Sequence, residues 1–382
     1  MKLLIAFGTR PECIKLAPLI RLAEERGYDV STCVTGQHQE MLRQCLDVFE
    51  IRTDFDLSVM RPSQNLTGLT SRILEGIQPV MESAKPDFVV VQGDTTTAFS
   101  SSLAAFYAGV PVAHVEAGLR TYDLAAPFPE EAMRQMITRI AAWNFAPTER
   151  NRMALLAENI ENEKILVTGN TVIDALLYVR DLIQKNSRAD LITLPRDTES
   201  KLAESDRKLV LITGHRRESF GENIKNICSA IAALAARFPE VLFVYPVHLN
   251  PNVADPVHKI LGSIPNVHLL GPLNYYSFIY LMSRSWLIVS DSGGIQEEAP
   301  SLNVPVLVTR DVTERMEAVL SGNVKLVGSD TKKIVSEVAF LLTNVRARDQ
   351  MALSQNPYGD GQAARRILDF LALRLELKDQ AR

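Results

Sequence analysis

The sequence predicts an α/β protein made of two doubly wound domains that face each other across a cleft. Three observations carry this: the length, the alternation of short apolar runs with helical patterns, and the residues that stand where the runs stop. A chain of 382 residues is too long for one ordinary core, which points to two domains. The first set of strand candidates is "KLLIAFG" (2–8), "DVSTCVT" (29–35), "FVVVQG" (88–93), "VPVAHV" (110–115), "WNFAPT" (143–148) and "KILVTG" (164–169). The second is "KLVLITG" (208–214), "VLFVYPV" (241–247), "NVHLLG" (266–271), "WLIVSD" (286–291), "VPVLVT" (304–309) and "VKLVG" (324–328). Strands that alternate with helices imply parallel sheets with helices on both faces. The join is expected near Gly169-Asn170, giving domains of 1–169 and 170–360. The amphipathic "AARRILDFLALRLEL" within 361–382 is expected to pack back on the first. The polar stretch 186–207 reads as a helix and loop of the second.

The strands end in Gly8-Thr9-Arg10, Gly36-Gln37-His38, Gly93-Asp94, Glu116, Gly214-His215, His248, Asp291-Ser292-Gly293 and Arg310-Asp311. Open α/β sheets bind ligands outside the carboxyl ends of their strands, so polar ends in both halves suggest a shared cleft. Strands also end in polar residues for solvation alone, and any single position is open to that reading.

Composition is globular, with 46% hydrophobic and 23% charged residues, and the net charge of −4 gives no general attraction to nucleic acid or anionic membrane. Apolar runs are strand-length, short of the ~20 residues a membrane span needs. "MKLLIAFGTRPE" is too short in its apolar part for a signal sequence and reads as a first strand. Cys13, Cys33, Cys45 and Cys228 form no CxxC pair, which fits reduced structural cysteines in a cytoplasmic enzyme. The six histidines show neither an i,i+4 pair nor HExxH, so no metal is expected. GxGxxG and GxxxxGK[ST] are both missing, which argues against a nicotinamide fingerprint and a P-loop.

"SDSGGIQEEAP" (290–300) is the strongest local signal. Glycine lets backbone N–H groups approach a phosphate, and a helix start adds positive potential. A plain turn capped by Ser292 is the alternative. Glu298, one turn into the helix, suits ribose hydroxyls, whereas Glu297 reads as exposed or locally paired; the glycine turn and Glu298 together describe a nucleoside diphosphate site. "GTRPECIK" places Arg10 and Lys15 at a helix start, as anion handlers or as a solvated pair. "QGDTTT", "HVEAGLR" and "PFPEEAMRQ" bring Asp94, Glu116, Glu130, Glu131 and Arg134. Clustered carboxylates raise one another's pKa and serve as general acids and bases, although Asp94 and Glu130 also stand where helix caps would. His215 follows a strand and could contact phosphate or move a proton.

These motifs, with "FAPTE", "VTGNTVIDAL", "TGHRRESFGENI", "PVHLNPNV" and "RDVTERMEAV", closely resemble the non-hydrolysing UDP-N-acetylglucosamine 2-epimerases over nearly the whole chain. The resemblance implies the GT-B architecture of two Rossmann-like domains, a homodimer, and no metal or nicotinamide cofactor. It implies a reversible C2 epimerisation of UDP-GlcNAc to UDP-ManNAc. Arg10, Lys15, His215, Ser292, Gly293, Gly294, Glu298 and Arg315 match positions that hold UDP, and Phe278 one that packs on uracil. Asp94, Glu116 and Glu130 match the catalytic carboxylates, with Arg134 beside them and His215 able to join the chemistry. Gln37, His38, Arg72, Glu131 and Arg216 match an allosteric site for a second UDP-GlcNAc. Cys13, Glu40, Leu273 and Met316 depart from the usual residues. A modified UDP-sugar, such as a UDP-2,3-diacetamido-uronic acid, or a GT-B glycosyltransferase would share most of this pattern.

Overall fold

A computed structural model describes residues 1–36, 39–61, 65–204, 207–214, 216 and 220–380. The chain divides into two units, residues 1–178 with 358–382, and residues 179–357.

The first unit is built on seven parallel strands: β1 (Lys2–Phe7), β2 (Asp29–Val34), β3 (Phe55–Asp56), β4 (Phe88–Gln92), β5 (Val112–Val115), β6 (Trp143–Ala146) and β7 (Ile165–Val167). Their order is β3-β2-β1-β4-β5-β6-β7. Leu3, Leu4, Ile5, Ala6 and Phe7 are all buried, as are Val89, Val90 and Val91. Strands covered on both faces read as unbroken apolar runs, which is why the sequence exposes them so plainly. β3 escapes that reading because it is only two residues, pairing Phe55 with Cys33 and Asp56 with Val34. Leu4, Ala6, Val89, Val91 and Val112 form one core with Ile77, Ala98 and Ile137 from three covering helices. The helix Ala363–Gln380 completes this unit. Phe370 meets Trp143 and Phe145 edge-on, at centroid distances of 5.1 and 5.7 Å. Asp174 accepts from the backbone N–H groups of Ala363 and Ala364, satisfying donors at the start of that helix.

The second unit has six parallel strands: β8 (Leu209–Thr213), β9 (Leu242–Pro246), β10 (Val267–Leu270), β11 (Leu287–Ser290), β12 (Val306–Val308) and β13 (Val324–Leu326). The order β10-β9-β8-β11-β12-β13 is that of a Rossmann domain. In both sheets the connections reverse direction at one central pair, β1/β4 in the first and β8/β11 in the second. The crevice above such a pair is where α/β sheets hold ligands.

Candidate active site

Above β1/β4 in the first unit, the loop after β1 runs into the helix Arg10–Glu25. Thr9 is its N-cap, and Glu12 completes a capping box. Glu12 does more than cap. Its buried carboxylate accepts from the N–H groups of Gly8 (3.0 Å) and Thr9 (2.8 Å) and from the Thr95 hydroxyl (2.6 Å), joining the loops after β1 and β4. Burial pushes the Glu12 carboxyl up against these bonds. Arg10 is half-buried at the helix start, and its guanidinium has no partner among the described residues.

Lys15 reaches Glu116 at the end of β5, with Nζ 2.5 Å from Oε2. Gln92 Nε2 donates to the same oxygen, and Asn170 Nδ2 donates to Oε1 at 3.3 Å. Glu116 holds φ at +65°, a left-handed conformation uncommon for glutamate. Strain of this kind persists only where surrounding contacts over-determine it. Asp94 follows Gly93, whose φ is +70°. Arg134 Nε donates to Asp94 Oδ2 at 2.9 Å, and Nη2 reaches the same oxygen. Burial raises the Asp94 carboxyl above its ordinary value; Arg134 and Lys15 oppose that rise and Glu116 adds to it. Asp94 is not a helix cap. That place belongs to Thr95, which accepts from Ala98 N–H.

Glu130 opens the helix Glu130–Ile140 after Pro129 and makes no cap bond. It is half-buried, with no partner among the described residues. Its neighbour Glu131 is the opposite. It is buried, accepting from Thr121 N, Tyr122 N, Gln135 Nε2 and Arg134 Nη1. Burial opposes its ionisation, but these donors and the Arg134 charge hold the carboxyl below its ordinary value. A ligand touching Glu131 would have to displace one of them.

In the second unit, Ser292 precedes the short helix Gly293–Glu298 above β8/β11 and makes no side-chain cap bond, so its hydroxyl is not spent on the turn. A Cβ on Gly293 would sit 3.2 Å from Arg315 Cζ and 3.3 Å from Arg216 Nη2. Two guanidiniums therefore lie against the turn, and glycine is what admits them. Arg216 N donates to the buried Asp291 (3.0 Å). Glu314 gathers the cations: Arg315 Nη1 at 2.7 Å, Arg310 Nη1 at 3.1 Å and Arg216 Nη2 at 3.6 Å. Burial disfavours its charge, but Arg315, Arg310 and Arg216 prevail and the carboxyl falls to about 2. Glu297 is not exposed; it is buried and paired with Arg315 Nε at 2.9 Å. Its partner lies 18 positions on, beyond any local pattern. Glu298 accepts from the Tyr275 hydroxyl at 3.1 Å, which brings it to the helix that carries the half-buried Phe278.

The structure thus gathers Lys15, Asp94, Glu116, Glu131 and Arg134 in one unit and Arg216, Gly293 and Arg315 in the other. Arg72 Nε donates to Val59 O at 3.1 Å. Gln37, His38 and His215 lie outside the described residues. The sequence reading missed Glu12, Gln92, Asn170, Tyr275 and Glu314. Glu12, Gln92, Asn170 and Glu314 stood in "GTRPE", "QGD", "GNT" and "TER", and Tyr275 in "YYSFIYLM", but a partner far along the chain decides what each does. Among the described residues no group of three or more His, Cys, Asp or Glu could hold a metal ion. Nor is any helix among them long and apolar enough to cross a membrane.

Fold and side chains define the class: a two-domain α/β protein of the GT-B type, with acids and their counter-cations on one Rossmann-like domain and an arginine-flanked glycine turn on the other. A family model described as UDP-N-acetylglucosamine 2-epimerase matches residues 20–372. The UDP-N-acetylglucosamine 2-epimerase of Yersinia pestis is 54% identical over 374 residues, covering 97% of this chain and 98% of that one. The crystal structure of UDP-GlcNAc 2-epimerase from Neisseria meningitidis bound to UDP-GlcNAc has a TM-score of 0.85 at 47% identity, covering 97% of this chain and 100% of that one. The S. aureus MnaA–UDP co-structure has a TM-score of 0.85 at 41% identity, covering 99% and 98%. The chain belongs to the UDP-N-acetylglucosamine 2-epimerase family.

Proposed function

We propose that the chain interconverts UDP-GlcNAc and UDP-ManNAc by eliminating UDP and adding it back, without releasing free sugar. Besides the family, the observation that carries this reading is the pair Asp94 and Glu116, each at the end of a strand and each held by a cation. The C2 hydrogen of the pyranose is not adjacent to a ring carbonyl, so direct deprotonation is too costly. Elimination avoids that barrier. A base takes the C2 proton, the C1–O bond to UDP breaks, and C1=C2 forms as 2-acetamidoglucal. UDP oxygen then attacks C1 while a proton reaches C2 from the opposite face.

Asp94, Glu116 and Glu130 supply the acid and base. A carboxyl raised by burial, as at Asp94, holds a proton more readily than a free one, which suits an acid–base role. Arg10, Arg315 and the Ser292–Gly294 turn stabilise the diphosphate as negative charge builds on it. Glu298 takes the ribose and Phe278 the uracil. His215 assists at the phosphates, and Gln37, His38, Arg72, Glu131 and Arg216 serve a second, activating UDP-GlcNAc. The enzyme needs no cofactor, acts as a homodimer in the cytoplasm, and supplies ManNAc-type sugars for surface polysaccharide.

Proton NMR of UDP-GlcNAc with enzyme in deuterated water tests the reaction. UDP-ManNAc with deuterium at C2 is the expected product. Free ManNAc with UDP would replace this reading by a hydrolytic one, and transfer to an added acceptor by a glycosyltransferase.

A further inference from the structure

The chain leaves the first unit after Tyr178 and returns to it at Tyr358. Within that unit the departing and returning segments are fastened together. Asn170 N donates to Tyr358 O at 2.7 Å. Gly169 and Gly359 pack backbone on backbone: a Cβ on Gly169 would lie 3.2 Å from Gly359 Cα, and one on Gly359 3.3 Å from Gly169 Cα. Arg366 donates to Thr168 O at 3.0 Å, and Asp174 takes the first N–H groups of the returning helix. The Asn170 side chain, 2% exposed, stands at the centre of this seam. Its Oδ1 accepts from Val172 N at 3.1 Å, which fixes the amide so that Nδ2 points to Glu116 Oε1.

We propose that Asn170 is a positioning residue for the Glu116 carboxylate, making the seam between the departing and returning segments part of that carboxylate's support. Glu116 has two oxygens to be held. Lys15 and Gln92 take Oε2, and Asn170 donates to Oε1. Without that donor the carboxylate loses one of the contacts that set its terminal torsion, which is broad and soft. A donor to the charged form also favours ionisation, so its loss raises the pKa of the acid it served. Among the described residues, the charged and titratable groups around Glu116 include Lys15 from the first helix, Asp94 with Arg134 behind it, and His114 on β5. Asn170 couples this set to the seam.

The inference rests on the catalytic reading of Glu116, and the experiment separates the two. Asn170→Asp keeps the oxygen that caps Val172 but replaces the donor by a carboxylate; Asn170→Ser keeps a shorter cap and no reach. Both should bind UDP within a few-fold of the parent and lose roughly 10- to 100-fold in kcat. The limb of the pH profile that needs ionised Glu116 should move to higher pH, by about one unit in Asn170→Asp. Glu116→Gln is the control. If it keeps turnover, the catalytic reading of Glu116 fails. If it is inactive while both Asn170 variants keep the parental kcat and pH profile, the positioning role fails instead. A fall in kcat with an unmoved profile and a lowered melting temperature would leave Asn170 a structural cap only. In the parent protein, the Asn170 side-chain amide resonances should titrate with the midpoint of that limb, and no such titration would overturn the proposal without any variant.

Discussion

The two units share a central strand order and use it for opposite ends. Above β1/β4 the side chains are carboxylates closed into pairs, Asp94 with Arg134 and Glu116 with Lys15. Above β8/β11 they are guanidiniums drawn around a glycine turn, with Glu314 and Glu297 as their counter-ions. The strand order around the central pair is alike, so it does not set the chemistry. The loops and helix starts beyond the strand ends do. A scaffold of this kind fixes where a ligand is met, and a handful of loop positions decide whether it meets acid or base groups or an anion cradle.

The largest effect that would break this contrast is loss of turnover in the first unit without loss of nucleotide binding. Asp94→Asn, Glu116→Gln and Glu130→Gln should each lower the rate of C2 deuterium exchange by ~100- to 10,000-fold. UDP affinity by calorimetry should stay within a few-fold, since on the proposed mechanism these groups act on the sugar. Parental exchange rates in all three would return the residues to structural pairing.

The converse variant belongs to the second unit. In Gly293→Val the new side chain crowds Arg315 and Arg216 and blocks backbone approach, so UDP affinity should fall by about 10- to 100-fold, the worth of one or two charge-assisted hydrogen bonds. Circular dichroism should show the sheet intact. Near-normal UDP binding by a folded variant would remove the turn from the diphosphate site.

A smaller effect sharpens the comparison through acid. His114 is fully buried, its Nε2 2.8 Å from Gly93 O, and burial lowers its pKa to about 4. The unfolded chain takes that proton from about pH 6.5 downward, so stability falls between pH 6.5 and 4 and the loss is complete below. The loss is roughly 3 kcal/mol if the shift is fully expressed. Glu314 in the second unit is lowered to about 2, so its contribution is lost only between about pH 4.5 and 2. Asp174, raised to about 6 by burial, opposes His114, since its stability cost fades as pH falls from 6 to its unfolded value. The pH dependence of melting should therefore be read as the parent minus a His114→Asn variant, in which Asp174 cancels. A difference that does not grow between pH 4 and 6.5 would show that His114 is not held neutral.

The strands were legible because burial on both faces leaves no room for polar residues, as in "LLIAF" and "FVVV". β3 was not, because two residues carry no periodicity. Strand-end acids and the glycine turn were legible as residue types in place. Their partners were less so. Asp94 meets Arg134 across 40 positions and Glu116 meets Lys15 across 101, and one sequence does not rank such pairs. The capping alternative for Asp94 was settled by the hydroxyl of the next residue, which took the bond a cap would make. Glu297 looked exposed or locally paired because local spacing ignores Arg315. The left-handed backbone of Glu116 had no signal at all, since nothing in "VEAG" asks for it.

The helix Ala363–Gln380 belongs to the first unit yet follows the whole of the second in the chain. On a translating ribosome, Trp143 and Phe145 are made more than 200 residues before the Phe370 ring that covers them. Domains tend to fold in the order they emerge. Here the order is inverted at the finish: the second unit can close while the first still waits with part of an aromatic surface open, in need of a chaperone or of speed.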